Sequence, residues 1–263
     1  MFRKMFTGFL AVSLVAMLAG CGAKDTKLAD IQKSGKLVLG TSADYPPYEF
    51  HKKVNGKDEI VGFDVEIAKA IAADLGVQLE IKDMSFDGLL AALTAGNVDI
   101  VLAGMTPDEK RKKSVDFSKI YYQAEQGVVV PAANKDKYKS MDDLKGLRIG
   151  VQTGSIQEEI AKTQIPNADI KGLQSVSDLM LQLKSNKVDA LVVELPVATA
   201  YVDKNKELAV SGLKPKEAVG GSAVAIKKNN PSLVKEVDKT IDKLISGKKI
   251  DEFTKNASAQ MAE

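Results

Sequence analysis

Residues 103–112, AGMTPDEKRK, bring a glycine, a hydroxyl, two acids and three cations into one short stretch. The apolar run Val98–Leu102 precedes it, so the stretch leaves the end of a buried strand. Thr106-Pro107-Asp108-Glu109 has the form of a capping box, with Thr at the N-cap, Pro at N1 and Glu at N3, which predicts a helix opening there. The free N–H groups and positive end of such a helix favour an anion. Gly104 lets a ligand approach the backbone closely. Arg111, folded back, can offer a planar fork to a carboxylate in two parallel hydrogen bonds. The competing account makes Arg111 a solvated partner of Asp108 or Glu109. A second stretch repeats the device, because Gly154-Ser155 follows the apolar RIGV and opens the helix-like IQEEIAK. Glu194 ends a further apolar run and supplies an acid for an ammonium, although Leu195-Pro196 could equally end that strand at the surface. One cationic fork, two helix starts and one acid form a set that selects an α-amino acid zwitterion.

These residues need elements to hold them. Lys36–Gly40 reads as the first strand, TSADYPPYEF as a loop and NGKDE as a hairpin-like turn. Phe63, Ile67, Ile71 and Leu75 recur every four residues until Gly76, which predicts an amphipathic helix with a glycine stop. Val77, Leu79 and Ile81 alternate as a strand, and residues 86–95 read as a helix carrying Leu89, Leu90 and Leu93. Strands alternating with helices predict mostly parallel sheets, with ligand chemistry at the strand C-termini. The plan recurs. LLAALTAGNVDIVLAG (89–104) lies over LMLQLKSNKVDALVVE (179–194) at a constant offset, matching Val98-Asp99 to Val188-Asp189. KLVLGTS (36–42) likewise resembles GLRIGVQ (146–152), so two similar α/β lobes are expected. Residues 131–145 read as a connection into the second lobe. Ser222–Ile226 and a helix from about Pro231 to Ile245 have no third unit to join and are expected to return to the first lobe.

The N-terminus differs from the rest. Arg3 and Lys4 precede an uncharged run from Met5 to Gly20, which describes a secretory leader. That run is shorter than the roughly 20 residues that span a bilayer. The closing LAGC resembles the bacterial lipoprotein signal, in which the cysteine is acylated and becomes the first mature residue. Cys21 is the single cysteine and has no disulfide partner in the chain. The expected order is therefore a leader at 1–20, a lipid-anchored tether at 21–30, and a body tethered at one end. The leader holds two of the 37 basic residues, leaving 35 against 35 acidic ones, so charge gives no case for nucleic acid. One histidine, His51, and no thiol after acylation leave zinc sites and Cys–His or Ser–His–Asp catalysis poorly supplied. No phosphate-binding glycine pattern is present. No metal, cofactor or enzymatic activity is expected.

GTSADYPPYEF (40–50), IVGFDVEIAKAIAADLG (60–76) and FDGLLAALTAGNVDIVLAGMTPDEKRKKSVDFSKIYY (86–122) closely resemble the polar amino acid substrate-binding proteins of ABC importers, solute-binding protein family 3. The resemblance runs over roughly residues 30–255. It implies the type II periplasmic-binding-protein-like fold, two Rossmann-like α/β lobes joined by two crossovers that close on a ligand. Lobe one would be 28–124 plus 223–263, and lobe two 125–222. Carried over by position, the resemblance implies a carboxylate-binding Arg111, strand-end contacts at Gly104 and Thr106, and a lobe-two helix start at Ser155 and Ile156. It further implies an ammonium-binding acid at Glu194 and aromatic walls at Tyr45 and Phe86. Ser42 stands where some cation-binding relatives have Asp, and Glu194 where Asp is common. The partners implied are a polar amino acid, basic ones included, an ABC permease and, through Cys21, a membrane, with the protein itself a monomer on the outer face of a single-membrane bacterium. Two rivals use other chemistry, a cyclohexadienyl-dehydratase-like enzyme on the same fold and a surface adhesin.

Overall fold

Lys36–Thr41 and Gln78–Asp83 run parallel, residue against residue, from Lys36–Gln78 to Thr41–Asp83. The helix between them, Phe63–Asp74, buries Phe63, Ile67, Ala68 and Ile71 against that sheet, as its four-residue apolar period requires. The same βαβ logic builds two lobes in the computed structural model, which describes residues 25–216 and 220–262. The leader at 1–20 and Cys21 lie outside the described residues.

The first sheet orders its strands Gln78–Asp83, Lys36–Thr41, Ile100–Val101, Ser222–Lys227, Val115–Tyr122. The second orders them Asp169–Leu173, Arg148–Gln152, Ala190–Glu194, Gln126–Pro131, Leu208–Val210. In each, three parallel strands are followed by one running antiparallel. The sheets are therefore mixed rather than mostly parallel. The reason is topological, since the fourth strand of each lobe is delivered by chain that has just crossed from the other. One crossing is residues 123–125, and the other lies between Val210 and Ser222. Ser222–Lys227 lies in the first sheet, between Ile100–Val101 and Val115–Tyr122.

The repeated aspartates explain the repeated sequence. Asp99 accepts the N–H of Val38 at 2.8 Å and returns its own N–H to the Val38 carbonyl at 2.8 Å. Asp189 does the same with Arg148, at 2.9 and 2.8 Å. Each pins the first strand of its repeat beside the strand that leads into the site. A small antiparallel sheet of Asp44–Tyr45, Glu49–Val54 and Lys57–Val61 turns at Asn55-Gly56, both with positive φ, a two-residue hairpin inside the NGKDE stretch read as a hairpin-like turn.

Residues 27–30, read from composition as the end of a tether, instead start the helix Lys27–Ser34, whose Ile31 is buried. A last helix, Lys249–Ala262, follows Pro231–Ser246 and packs against both Phe63–Asp74 of lobe one and Leu195–Lys204 of lobe two.

Candidate functional site

The chain leaving Ile100–Val101 does not form the helix its capping pattern predicts. From Leu102 to Lys110 it is irregular, followed by a single tight turn at Arg111–Lys113. Long-range bonds override the local signal here. Gly104 at φ +55° gives its N–H to Asp64 at 3.0 Å, and the Met105 carbonyl accepts Ala223 at 3.0 Å. Asp108, not Thr106, caps the turn by accepting the Arg111 N–H at 2.7 Å. The Thr106 hydroxyl is left buried and without a partner. A buried hydroxyl is rarely unpaired, and one aimed into a cleft marks a place for a polar ligand atom.

Arg111 is only 7% exposed. Its guanidinium donates to the Thr106 carbonyl at 2.7 Å and, across the lobes, to the Gly154 carbonyl at 3.0 Å. It lies 5.3 Å from the centre of the Phe86 ring, and its nearest acid, Asp108, is 3.6 Å away. Burial lowers its pKa, with Asp108 opposing the shift. Two of five donors are thus engaged with carbonyls and no carboxylate bonds the fork at close range.

Tyr45, Phe86, Gly104, Thr106, Arg111 and Ile156 line one cavity between the lobes, together with Ala103, Gln152 and Gln157. Six of the residues picked out in the sequence therefore converge. Ser155 accepts the Glu158 N–H at 3.2 Å as the cap of helix Ile156–Gln164 and lies with Arg111 along a wider groove opening outward. Ser42 stands off the cavity, its hydroxyl 3.4 Å from Asp44. Gln152 and Gln157 escaped the sequence reading. Gln157 donates to Gln126 at 2.9 Å and Gln152 to the Gln174 carbonyl at 3.1 Å. The available signal was position, since both flank Gly154-Ser155 at the strand-to-helix turn.

Acids gather behind Tyr45. Glu194 is buried and accepts the Tyr48 hydroxyl, and the Tyr45 and Tyr48 rings are 5.3 Å apart. Glu49 and Asp64, both fully buried, face one another. Burial pushes Glu49 well above the usual carboxylate range and the adjacent Asp64 adds to the shift. Burial pushes Asp64 up to about 6, against the Gly104 N–H and the Tyr121 hydroxyl, which donates at 2.8 Å. The same burial, and the acids themselves, hold Tyr45, Tyr48 and Tyr121 neutral. The arrangement thus brings together a buried cationic fork at Arg111, an unpaired hydroxyl at Thr106, the aromatic rings of Tyr45 and Phe86, and the buried acids behind Tyr45. Among the described residues no cluster of three metal-ligating side chains occurs, and no helix is long and apolar enough to cross a membrane.

The model of the bacterial extracellular solute-binding proteins, family 3, matches residues 37–257. The arginine-binding extracellular protein ArtP of Bacillus subtilis is 41% identical over 87% of this chain and 88% of its own length. The L-cystine-binding protein TcyJ of Escherichia coli is 33% identical over 91% of this chain and 89% of its own. Among solved structures, an amino acid ABC transporter substrate-binding protein, AbpA from Streptococcus pneumoniae bound to L-arginine, superposes with a TM-score of 0.87 at 39% identity, covering 89% of this chain and 99% of that one.

Proposed function

The chain belongs to the bacterial extracellular solute-binding proteins of family 3, and from that premise we propose that it captures L-arginine between its lobes and delivers it to an ABC permease. The observation that carries the reading is the pairing at one lobe boundary of a buried guanidinium that no carboxylate bonds closely with a buried, unpartnered Thr106 hydroxyl. A ligand carboxylate satisfies both at once. The stem and guanidinium of arginine then fit the faces of Tyr45 and Phe86, since a planar cation stacks on aromatic rings. Glu194 and Asp64 supply negative charge on the Tyr45 side, which favours a cationic side chain over the neutral cystine or glutamine that other relatives' names record. ArtP and the AbpA complex support the same choice. The absence of Asp at position 42 is offset on this reading by the buried acids behind Tyr45.

Acylation of Cys21 would hold the protein on the outer face of the cell membrane beside its permease. Relatives named as solute-binding proteins favour capture over catalysis.

The test is a melting series against the common amino acids, with prephenate and arogenate as controls for the dehydratase chemistry. A ligand at about a thousand times its Kd adds roughly 4 kcal/mol, a rise of roughly 8–16 °C for a chain of this size. L-Arginine should give the largest rise. No rise with arginine, but one with another amino acid, would correct the cargo. No rise with any amino acid would overturn the reading.

A further inference from the structure

Asp44 precedes the Tyr45 wall on lobe one yet is not among the residues lining the cavity between the lobes. Its closest partners are on lobe two, beside a longer contact of 3.4 Å from the Ser42 hydroxyl of its own lobe. The carboxylate accepts the backbone N–H of Val176, and the Ser175 hydroxyl and Ser177 N–H face it as further donors. These three residues are the start of helix Val176–Lys184, whose own cap is already supplied by Ser175 accepting the Asp178 N–H at 3.2 Å. The orphan donors that remain at this N-terminus, and its positive dipole end, are therefore met by an acid from the opposite lobe. A second bond joins the same two parties, because the Tyr201 hydroxyl of lobe two donates to the Asp44 carbonyl at 2.9 Å. Burial pushes the Asp44 carboxyl above its ordinary range and the lobe-two donors pull it back, as expected of an acid desolvated by the closed interface.

We propose that Asp44 is a closure latch, a positioning residue that holds the lobes together around the ligand without touching it and so sets the rate at which ligand leaves. Among the described residues, side-chain links cross the cleft at several points. Arg111 to Gly154 and Tyr48 to Glu194 belong to the ligand site itself, whereas Asp44 with Val176 and Tyr201 lies outside it. Any opening that parts the lobes removes both Asp44 bonds, so they act only on the closed form. A ligand reaches the open form, where the latch is unmade, and escapes only after it breaks. The latch therefore works on dissociation and leaves association nearly unchanged. Through the closure equilibrium it also sets apparent affinity. The proposal takes L-arginine as the ligand and to that extent rests on the preceding reading.

The experiment is stopped-flow binding of L-arginine followed by intrinsic tyrosine fluorescence, since the chain has six tyrosines and no tryptophan. Asp44→Ala should speed arginine dissociation about tenfold, the scale of losing a hydrogen bond to a charged group. Asp44→Asn, which keeps an acceptor oxygen, should recover part of the effect. Tyr201→Phe should speed dissociation by a smaller factor with no change in charge. Association rates and the melting temperature without arginine should stay close to wild type throughout. Unchanged dissociation in both Asp44→Ala and Tyr201→Phe would overturn the latch, as would a change confined to association. If the wild-type protein binds no arginine, the cargo reading fails and the latch is decided by amide exchange at Val176 and Ser177 in the protein alone. Faster exchange in Asp44→Ala would then support it, and equal exchange would overturn it.

Discussion

Arg111→Ala is the sharpest perturbation of the proposed site. The guanidinium is 7% exposed, holds the Thr106 and Gly154 carbonyls at 2.7 and 3.0 Å, and has its nearest acid 3.6 Å away. A ligand carboxylate meeting it would be a buried, hydrogen-bonded charge pair, and removing one partner of such a pair costs about 3–5 kcal/mol. At roughly 1.4 kcal/mol per tenfold, arginine binding should weaken roughly 200- to 4,000-fold. The cost to the fold should be far smaller. The variant gives up two bonds to carbonyls but also relieves a buried cation whose pKa is already lowered by desolvation. Isothermal titration with L-arginine, run beside thermal melting, separates the two effects. The melting temperature without ligand should move by a few degrees, and the arginine-induced rise should vanish. Arg111→Lys keeps the charge and loses the fork, so its affinity should fall between the two. A folded Arg111→Ala protein with undiminished arginine affinity would refute the carboxylate role, and a protein that fails to fold would refute the claim that Arg111 serves the ligand more than the core.

The buried acids predict a pH signature. Folding raises the Asp64 pKa from 3.8 to about 6, so the folded chain binds this proton more tightly, and the group's contribution to stability is fullest below 3.8 and is lost as pH rises toward 6. Urea unfolding of wild type and Asp64→Asn across that window should show the slope shrinking in the variant, and identical slopes would contradict the assignment. Glu49→Gln removes one of two facing buried acids, and the Glu49 oxygens have no hydrogen-bond partner to lose, so it should cost under about 1 kcal/mol at pH 7 in urea unfolding; a loss of several kcal/mol would contradict that arrangement. Gly62 has φ +132°, and a Cβ there would lie 2.1 Å from the Tyr48 carbonyl oxygen, so Gly62→Ala should destabilise by about 3 kcal/mol or more; a wild-type urea midpoint would be inconsistent with this geometry. Cys21→Ala should move the protein from the membrane to the soluble fraction of cells, and retention would count against the lipid anchor.

Where local and long-range forces agreed, the sequence was enough. The Phe63–Asp74 helix follows its apolar period, Ser155 caps Ile156–Gln164, and the offset between Asp99 and Asp189 marks two strands pinned in one way. Where they disagreed, the local pattern misled. Thr106-Pro107-Asp108-Glu109 satisfies every requirement of a capping box, yet bonds from Asp64 and Ala223 hold the chain at Gly104 and Met105 in another path. The acids Glu49 and Asp64 were illegible for a different reason. An acid in the first turn of a helix, as Asp64 is, reads as a dipole partner facing water. Only the packing of Tyr48 and Tyr121 around the pair makes it a buried one.

The duplication also explains why the site carries opposite charges from its two lobes. The offset that lays Ile100 on Ala190 lays Gly104 on Glu194, so the two lobes answer the same structural position with opposite chemistry. In lobe one the glycine bends left-handed, spends its N–H on Asp64 and releases a loop that carries Arg111 back to the cleft. In lobe two the strand runs on to Glu194 and passes straight into helix Leu195–Lys204, leaving an acid at the strand end. A symmetric pair of lobes would present like charges and repel one end of any zwitterion. Here lobe one supplies the cation Arg111 and lobe two the acid Glu194, beside the lobe-one acids Glu49 and Asp64. On the proposed reading, arginine meets both, its carboxylate at Arg111 and its cationic side chain toward Glu194, only in one orientation and only when the lobes are together, which ties recognition to closure itself.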